Sequence, residues 1–264
     1  MSDQRAKGEA FRALHTGEPF VIPNPWDAGS ARVMQALGCK ALATTSSGFA
    51  FTLGRRDGEV TPDGAMAHTA SVTAATDVPV SVDLENGYGP EPEDAALAIT
   101  RVAAAGAVGG SIEDFDRDGG RLYDVSHAAD RVTAAAEAAR SLDVPFMLTG
   151  RAENHIRDNP DLDDTIARLQ AYEAAGADVL YAPGLATVDE IRAVCSAVSR
   201  PVNVLGFPGF TIGEIFEAGA QRVSVGGGLT WVAVAAMADA VTALLETGDF
   251  SSLEVDVPLD RWFA

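Results

Sequence analysis

Short apolar runs alternate along this chain with longer stretches that carry the Ala- and Leu-rich periodicity of helices. The pattern predicts eight strands, each followed by a helix. The predicted strands are residues 20–23, 41–45, 78–82, 108–112, 145–149, 178–181, 201–205 and 222–225. The predicted helices are residues 27–37, 62–75, 91–105, 126–141, 163–175, 187–198, 212–218 and 230–246.

The units also repeat one another. Ala-Gly-Ala recurs at 105–107, 175–177 and 218–220, where a glycine C-cap leads from a helix into the next strand. Eight β-then-α units in about 250 residues predict an α/β fold, a (β/α)8 TIM barrel, as one domain spanning 1–264. An open doubly wound sheet fits less well, because no Gly-x-Gly-x-x-Gly follows the first strand. Residues 247–264 are expected to form a C-terminal extension that packs on the barrel or on a neighbouring subunit.

Composition excludes several classes of function. The net charge of −19 argues against a nucleic-acid partner. Lys7 and Lys40 are the only lysines, so no Schiff base or P-loop is expected beyond residue 40. With two cysteines, Cys39 and Cys195, no signal peptide and no run near the ~20 apolar residues of a membrane span, we expect a cytoplasmic protein without a membrane partner.

The third predicted strand ends in two carboxylates, Asp83 and Glu85, at a spacing of i, i+2. By themselves they could be solvated loop acids or a helix-capping pair. In a barrel, however, the C-terminal ends of all strands meet at one rim, which adds Glu113 from the next strand. Such a cluster repels itself unless a cation binds, and oxygen-only ligands favour Mg²⁺, or Mn²⁺, over Zn²⁺.

Other polar residues come after the strands at the same rim. Arg151 is either a fork for a substrate carboxylate or phosphonate, or the partner of Glu153 or Glu113. Ser46, Ser47 and Gly48 offer hydroxyl and N–H groups for a carboxylate, or form an ordinary turn. Asn203 either contacts substrate or fills a polar layer of the barrel. The histidines at 15, 68 and 127 are expected at the solvated surface.

Five segments carry a resemblance to a known family. They are 24–30 (NPWDAGS), 44–48 (TTSSG), 83–89 (DLENGYG), 111–114 (SIED) and 150–153 (GRAE). In this order they resemble the isocitrate lyase/phosphoenolpyruvate mutase superfamily over about residues 15–245. The resemblance implies a barrel whose eighth helix is swapped between subunits of a homo-oligomer, a dimer or more usually a tetramer. It also implies Mg²⁺ and enolate chemistry on small α-oxo or α-hydroxy carboxylates.

The resemblance implies roles residue by residue. Asp83 would bind the metal directly, and Glu85, which replaces the aspartate of many members, would act with Glu113 mainly through water. Ser47 and Gly48 match the carboxylate-binding turn, to which Ser46 belongs. Arg151 matches the substrate-binding arginine and Asp57 an acid near the metal. Independently of the resemblance, we expect Asp57, Tyr88 or a lid residue to transfer protons.

One segment departs from the family pattern. The isocitrate and methylisocitrate lyases carry a Lys-x-Cys-Gly-His lid after the fourth strand, whereas residues 115–124 read FDRDGGRLYD. We therefore expect a divergent member that cleaves a C–C bond by retro-aldol reaction or decarboxylation. The alternatives are P–C bond chemistry, of the mutase or phosphonopyruvate hydrolase type, and a non-catalytic oxo-acid-binding relative.

Overall fold

The computed structural model of the protein describes residues 2–263. Its strands, in chain order, are β1 (Phe20–Val21), β2 (Leu42–Ala43), β3 (Val80–Asp83), β4 (Gly109–Glu113), β5 (Phe115–Asp116), β6 (Arg121–Leu122), β7 (Met147–Arg151), β8 (Val179–Tyr181), β9 (Val202–Leu205) and β10 (Arg222–Ser224). β5 and β6 form a small antiparallel hairpin, and the other strands are parallel in the order β1-β10-β9-β8-β7-β4-β3-β2. A hydrogen bond of 3.0 Å from Ala43 N to the Pro23 carbonyl joins the two edges, so the predicted barrel is confirmed.

Helices cover the outside of this sheet. In chain order they are α1 (Ser2–Leu14), α2 (Ala28–Ala36), α3 (Ser46–Thr52), α4 (Pro62–Ala75), α5 (Pro92–Ala104), α6 (Val125–Arg140), α7 (Leu162–Ala174), α8 (Val188–Ala197), α9 (Ile212–Glu217), α10 (Gly228–Thr247) and α11 (Leu259–Trp262). Short 3₁₀ turns occupy Asn154–Ile156 and Ser251–Leu253. The predicted alternation of strands and helices is thus correct to within a few residues at the boundaries.

The repeated Ala-Gly-Ala segments act as predicted. Their glycines have left-handed backbone angles, with φ of +97° at Gly106, +103° at Gly176 and +108° at Gly219. A side chain would be strained at such angles, so glycine ends each helix and turns the chain into the next strand. The spacing of the strands therefore depends on these three positions.

The pattern did not predict α1 or α3. α1 is mostly polar and contains Gly8, but a Cβ at Gly8 would come within 2.4 Å of the Pro145 carbonyl, so the glycine allows a close approach to the barrel. Phe11 of α1 is fully buried with Ile22 and Met147 and closes the N-terminal end of the barrel. α3 begins where a turn was expected, because Thr45 accepts a hydrogen bond from Gly48 N and caps the helix.

Two of the three histidines expected at the surface are buried instead. His15 is 4% and His68 is 8% exposed. His15 lies beside Arg222, which is itself buried and donates to Asn203 (2.8 Å) and Thr149 (3.0 Å), with its Nη1 3.1 Å from His15 Nε2. His15 Nδ1 is 2.8 Å from the Phe11 carbonyl, so a neutral ring donates there and accepts from the guanidinium.

α10 is apolar yet exposed. It has 20 residues, and its most apolar 18-residue stretch has a mean hydropathy of 1.7. By length and composition it could therefore cross a membrane, contrary to the expectation that no segment approaches that length. A single helix of this kind is weak evidence for a membrane span. Within α10 only Thr230 is buried, whereas Val232 is 66% and Leu245 is 80% exposed. The apolar surface of α10 thus lacks cover from the described chain.

The segment after α10 returns to its own barrel at one point. Arg32 of α2 donates to the Phe263 carbonyl at 3.1 Å and stacks over the Phe263 ring at 5.1 Å. Most of the segment remains exposed, including Phe250, Leu253 and Val255. It therefore continues the uncovered apolar surface of α10.

Acid lability is expected from the buried histidines. Burial, and then Arg222, lower the pKa of His15 to about 3, and burial lowers that of His68 to about 4. Below the unfolded-state value of 6.5 the unfolded chain takes up protons that the folded protein does not, so stability falls as the pH drops. The slope should reach about 1.4 kcal/mol per pH unit for each histidine.

This can be tested by urea unfolding of the wild type and His15→Gln between pH 4.5 and pH 8. Below pH 6.5 the free energy of unfolding of the variant should fall less steeply with decreasing pH, by the contribution of one histidine. Above about pH 7.5 the free energies of wild type and variant should depend on pH in the same way. Equal slopes below pH 6.5 would contradict this account of His15.

Candidate active site

The ends of three adjacent strands form the acidic part of the rim. Asp83 ends β3, Glu113 ends β4 and Arg151 ends β7, and the register of β4 and β7 places Glu113 directly opposite Arg151. Glu85 lies just beyond β3 with a left-handed φ of 51°, and its N–H donates to Asp83 Oδ1 at 3.2 Å. The predicted acids are therefore brought together, although a turn, and not a continued strand, positions Glu85.

Arg151 lies among these acids. Its Nη1 is 3.6 Å from both Asp83 Oδ1 and Glu113 Oε2, and its Nε donates to Glu153 Oε1. Its guanidinium also stacks on the Tyr181 ring at 5.2 Å from the centroid. The ion-pair interpretation of Arg151 is thus realised, and it leaves a buried positive charge at the centre of the rim.

Arg117, which was not predicted as a site residue, enters the same cluster from the β5–β6 hairpin. Its Nε is 2.8 Å from Glu85 Oε2, and its Nη2 is 3.5 Å from Glu113 Oε1 and 3.4 Å from Asp57 Oδ2. Asp57, on the loop before α4, is thereby placed beside the predicted metal ligands. The sequence signal for Arg117 is an arginine between two aspartates in the lid segment, the same segment that lacks the Cys and Lys of the lyases.

Arg157 is a second missed arginine. Its Nη2 is 2.8 Å from Glu153 Oε2 and 3.9 Å from Glu113 Oε1, and its guanidinium lies 3.8 Å from the centroid of the Phe115 ring. It comes directly after the 3₁₀ turn that succeeds β7, a turn that no apolar pattern could indicate. Arg157 therefore joins the end of β7 to the start of the hairpin.

Asp114 turns away from this cluster and supports it from behind. It accepts from Arg168 Nη1 at 2.9 Å, from Glu153 N at 2.8 Å and from the Tyr172 hydroxyl. Arg168 is held further by Asp164 at 2.9 Å and by the Tyr123 carbonyl at 3.0 Å. These bonds fix the end of β4 to α7 and so fix where Glu113 points.

The predicted substrate-binding residues lie on both sides of the acids. The Ser46 hydroxyl and N–H donate to Asp83 Oδ2 at 2.9 and 3.3 Å, and Ser47 Oγ is 3.1 Å from Thr45 Oγ1. Gly48 N is used by the helix cap. Asn203 is 1% exposed and bonds to Arg222 and Ser224, so it belongs to the polar layer inside the barrel.

Burial changes the acidity of the rim. The pKa of Glu85 is raised to about 7, mainly by burial and further by Asp83 and Asp57, against the opposing effect of Arg117. Burial, and then Glu153, raise the pKa of Glu113 well above its usual range. Burial, and then Glu85 and Asp83, do the same for the pKa of the Tyr88 hydroxyl, which therefore stays protonated at neutral pH.

The acids supply the oxygen donors that Mg²⁺ prefers, but their side chains are not positioned around a common point. Among residues 2–263 no group of three or more acidic, histidine or cysteine side chains is arranged to hold a metal ion. The donors are nevertheless all oxygens, and Glu113 Oε1 is buried without a hydrogen-bond donor. A divalent cation fits this donor set if the guanidinium of Arg117 moves away.

Several cavities adjoin these groups, and another lies at the opposite end of the barrel. An inner cavity of about 50 Å³ is lined by Asp83, Arg151 and Asn203, and an outer one of about 350 Å³ by Glu85, Arg117 and other residues. A cavity of about 690 Å³ lies at the opposite, N-terminal end of the barrel. It is remote from the acids, and active sites of such barrels form at the other end.

Comparison with known proteins agrees with the barrel fold. A sequence model of the phosphoenolpyruvate phosphomutase family matches residues 11–245. The chain is 48% identical to a protein of Burkholderia cenocepacia J2315 whose crystal structure is described as a lyase/mutase, with a TM-score of 0.96 and coverage of 100% of this chain and 98% of that one.

Two relatives have named reactions. The chain is 30% identical to the oxaloacetate decarboxylase of Bradyrhizobium sp. strain BTAi1, over 84% of this chain and 78% of the relative. It is also 30% identical to the 2-methylisocitrate lyase of Escherichia coli K12, over 80% of this chain and 75% of the relative. Equal identity to two different lyases does not select a reaction, so the choice depends on the site.

Removing the charge of Glu85 should stabilise the metal-free protein. Because the folded-state pKa of about 7 lies above the ordinary value of 4.5, stability is lost as the pH rises between these values. Glu85→Gln, which cannot ionise, should therefore unfold at higher urea than the wild type at pH 7.5, by roughly 1–3 kcal/mol, and the gain should vanish near pH 4.5.

The measurement is urea unfolding in EDTA at both pH values. Glu93→Gln, at the exposed start of α5, should change stability by less than about 0.5 kcal/mol and serves as the control. A gain that is absent at pH 7.5, or equally large at pH 4.5, would argue against a costly ionisation of Glu85.

Proposed function

The chain belongs to the phosphoenolpyruvate phosphomutase family, and we propose that it is a Mg²⁺-dependent lyase that cleaves a C–C bond in a small α-oxo or α-hydroxy di- or tricarboxylate. The observation that carries this proposal is the cluster of Asp83, Glu85 and Glu113 at the C-terminal rim of the barrel, in which Arg151 lies between Asp83 and Glu113, and Arg117 lies beside Glu85 and Glu113. An excess of carboxylates there is costly unless a divalent cation joins them.

The three acids would hold Mg²⁺, or Mn²⁺ in its place. When bound, such an ion supplies a Lewis acid next to the α-oxo-carboxylate and favours the enolate that cleavage produces. Asp83 is the most central of the three, because it contacts Arg151 on one side and Ser46 on the other. Its replacement should therefore affect both the ion and its surroundings.

Substrate carboxylates would be bound by groups that flank Asp83. Arg151 supplies a permanent positive charge, because burial is outweighed by the acids Glu153 and Glu113 and the pKa of Arg151 rises further above its usual range. Ser46, Ser47 and Gly48 at the start of α3 would form the second binding element, and to do so Ser46 would exchange its bonds to Asp83, and Gly48 N its bond to Thr45, for bonds to the substrate. A substrate with two carboxylates suits this pair of binding elements.

Tyr88 is the strongest candidate for the proton donor. It lines a small cavity together with Asp83 and Glu85, and its raised pKa keeps the hydroxyl protonated. A protonated hydroxyl can deliver a proton to the carbon from which a fragment has left. Asp57, which is 42% exposed in its side chain and pairs with Arg117, is the candidate for exchange of that proton with solvent.

The cysteines are not placed to replace the acid of the lyase lid. Cys195 lies on α8, where burial raises the pKa of its thiol to about 11, and Cys39 lies just beyond α2. A reaction that needs only enolate formation and its protonation therefore fits better than one that needs a thiol acid. Decarboxylation of an oxo-diacid meets this condition, and retro-aldol cleavage meets it when a base, for which Asp57 is the candidate, also removes the proton of the hydroxyl that becomes the carbonyl.

The principal alternative is P–C bond chemistry, which the name of the matching family raises. Phosphonopyruvate monitored by ³¹P NMR would distinguish it, because a mutase or hydrolase changes the phosphorus signal and a C–C lyase does not. A non-catalytic oxo-acid-binding protein would show thermal shifts with oxo-acids and yield no product from any of them.

The proposed chemistry can be tested with EDTA-treated protein and a panel of α-oxo and α-hydroxy di- and tricarboxylates, with products identified by mass. Cleavage should require added Mg²⁺ or Mn²⁺. Asp83→Asn should lower kcat/KM by about 100-fold or more, because a direct ligand loses its charge.

Asp63→Asn is the matched control, since Asp63 is an exposed acid that pairs only with Arg101 on the outer surface. It should leave kcat/KM unchanged. Activity that survives both EDTA and Asp83→Asn would rule out the metal-dependent mechanism.

We also propose that the protein is a homo-oligomer, a dimer or a tetramer, in which α10 packs on another copy. Its exposed side chains include Leu229, Trp231, Val232, Met237, Val241 and Leu245. An apolar surface of this extent is typical of a subunit interface. We propose a cytoplasmic location and a small-molecule substrate, with neither nucleic acid nor membrane as a partner.

Light scattering after gel filtration tests the interface. Val232→Lys combined with Leu245→Lys should reduce the mass to that of one chain, because two charges cannot be buried unpaired at the contact. Leu97→Lys, at a leucine that is 56% exposed on α5, should leave the mass unchanged. An oligomer that persists in the double variant would contradict the proposed role of α10.

A further inference from the structure

Arg117 occupies the place among the acids that a cation would need. Its guanidinium is within 3.5 Å of carboxylate oxygens from the loop before α4, from the turn after β3 and from the end of β4. Two of these three acids, Glu85 and Glu113, are also the proposed metal ligands. A hard divalent ion needs its oxygens at about 2.0–2.6 Å, so it cannot share them with a guanidinium in this position.

The contacts of Arg117 are close but poorly directed. Its Nε lies 2.8 Å from Glu85 Oε2 without forming a hydrogen bond, and Glu113 Oε1 beside it also lacks one within the described chain. The one hydrogen bond of its guanidinium to an acid, to Asp57, is 3.4 Å long. Charge, and not geometry, holds Arg117 in place.

Arg168 of α7 makes the well-directed contacts that Arg117 lacks. It donates at 2.9 Å to both Asp114 and Asp164 and at 3.0 Å to a carbonyl, and its side chain is 8% exposed. Arg117 is 22% exposed and lies on a hairpin of two-residue strands. Arg117 is therefore the more easily displaced of the two guanidinium groups.

Arg117 also lines the outer of the two cavities near the acids. The inner cavity of about 50 Å³ has room for one or two water molecules, whereas the outer cavity, which Arg117 lines, measures about 350 Å³. A dicarboxylate does not fit the inner cavity as it stands. Withdrawal of Arg117 would enlarge the outer cavity beside Glu85.

A glycine in the facing loop makes room for the guanidinium. Gly58 has a φ of +85°, and a Cβ there would come within 2.4 Å of Arg117 Nη1. Gly54 in the same loop has a φ of +65°, but a Cβ there would meet no atom within 4 Å. An alanine would strain the backbone at both positions, but only an alanine at Gly58 would also press on Arg117. Comparing the two substitutions therefore separates the two effects.

We propose that Arg117 is a displaceable internal cation: it neutralises Glu85, Glu113 and Asp57 in the metal-free protein, and divalent metal binding expels it and releases the β5–β6 hairpin. The inference rests on the proposed metal site and adds its regulation. In the metal-free protein Arg117 lies over the acids and neutralises them, and in the metal-loaded protein its guanidinium has moved away from them.

The first test is binding of Mn²⁺ to EDTA-treated protein without substrate, measured by EPR of free Mn²⁺ or by calorimetry. Arg117→Gln should bind Mn²⁺ about tenfold or more tightly than the wild type, because the ion no longer competes with the guanidinium. Arg121→Gln, on the same hairpin but 78% exposed, is the matched control and should bind like the wild type.

The second test uses the glycines and leaves Arg117 unchanged. Gly58→Ala should also tighten Mn²⁺ binding, whereas Gly54→Ala should not. Hydrogen exchange of residues 115–122 should accelerate when Mn²⁺ is added to the wild type and change little in Arg117→Gln.

The outcomes separate the two proposals. If neither the wild type nor any variant binds Mn²⁺, the proposed metal-dependent function fails. If the wild type binds Mn²⁺ but Arg117→Gln binds it equally or more weakly, or if the metal protects the hairpin, the displacement by metal is wrong and the metal site stands.

Discussion

The structure around the rim depends on one electrostatic constraint: more carboxylates than cations are buried at the ends of neighbouring strands. Four acids at or just beyond the strand ends, Asp83, Glu85, Glu113 and Glu153, share the three guanidinium groups of Arg117, Arg151 and Arg157, and the more exposed Asp57 also pairs with Arg117. Away from bulk water, such an excess must be relieved by proton uptake or by a further cation. The raised pKa values of Glu85 and Glu113 are the first response, and a divalent ion would be the second.

Some of the charged side chains at the rim are held in place by the fold, whereas others can move. Asp114 and Arg168 are locked by short hydrogen bonds, and they hold the end of β4 whatever the state of the rim. Arg151 lies in the register of β4 and β7 and cannot leave without breaking the sheet. The hairpin residue Arg117 has no such restraint, so the barrel confines the adjustable part of the site to a loop.

Periodicity and strand order were enough to predict the acidic rim and the barrel beneath it. Asp83, Glu85 and Glu113 could be placed together because all parallel strands of a barrel end at one rim, and Gly106 because a helix must stop before the next strand. Arg117 and Arg157 were missed because their positions depend on a hairpin and a 3₁₀ turn, which leave no apolar period. The prediction for His15 was wrong because its burial is set by contacts such as the one with Arg222, which is distant in sequence and which no local pattern records.

The apolar helix and the active site meet at a point that neither periodicity nor charge would reveal. A Cβ at Gly48 would come within 2.6 Å of Thr230 Oγ1, so the start of α3 packs directly on the first turn of α10. Phe51 of α3 contacts Trp231 edge to face at 5.7 Å between ring centroids. The element proposed to bind a substrate carboxylate therefore packs against the helix proposed to bind another subunit. Because interiors are close-packed, the position of α10 constrains the start of α3, where Ser46 and Ser47 lie.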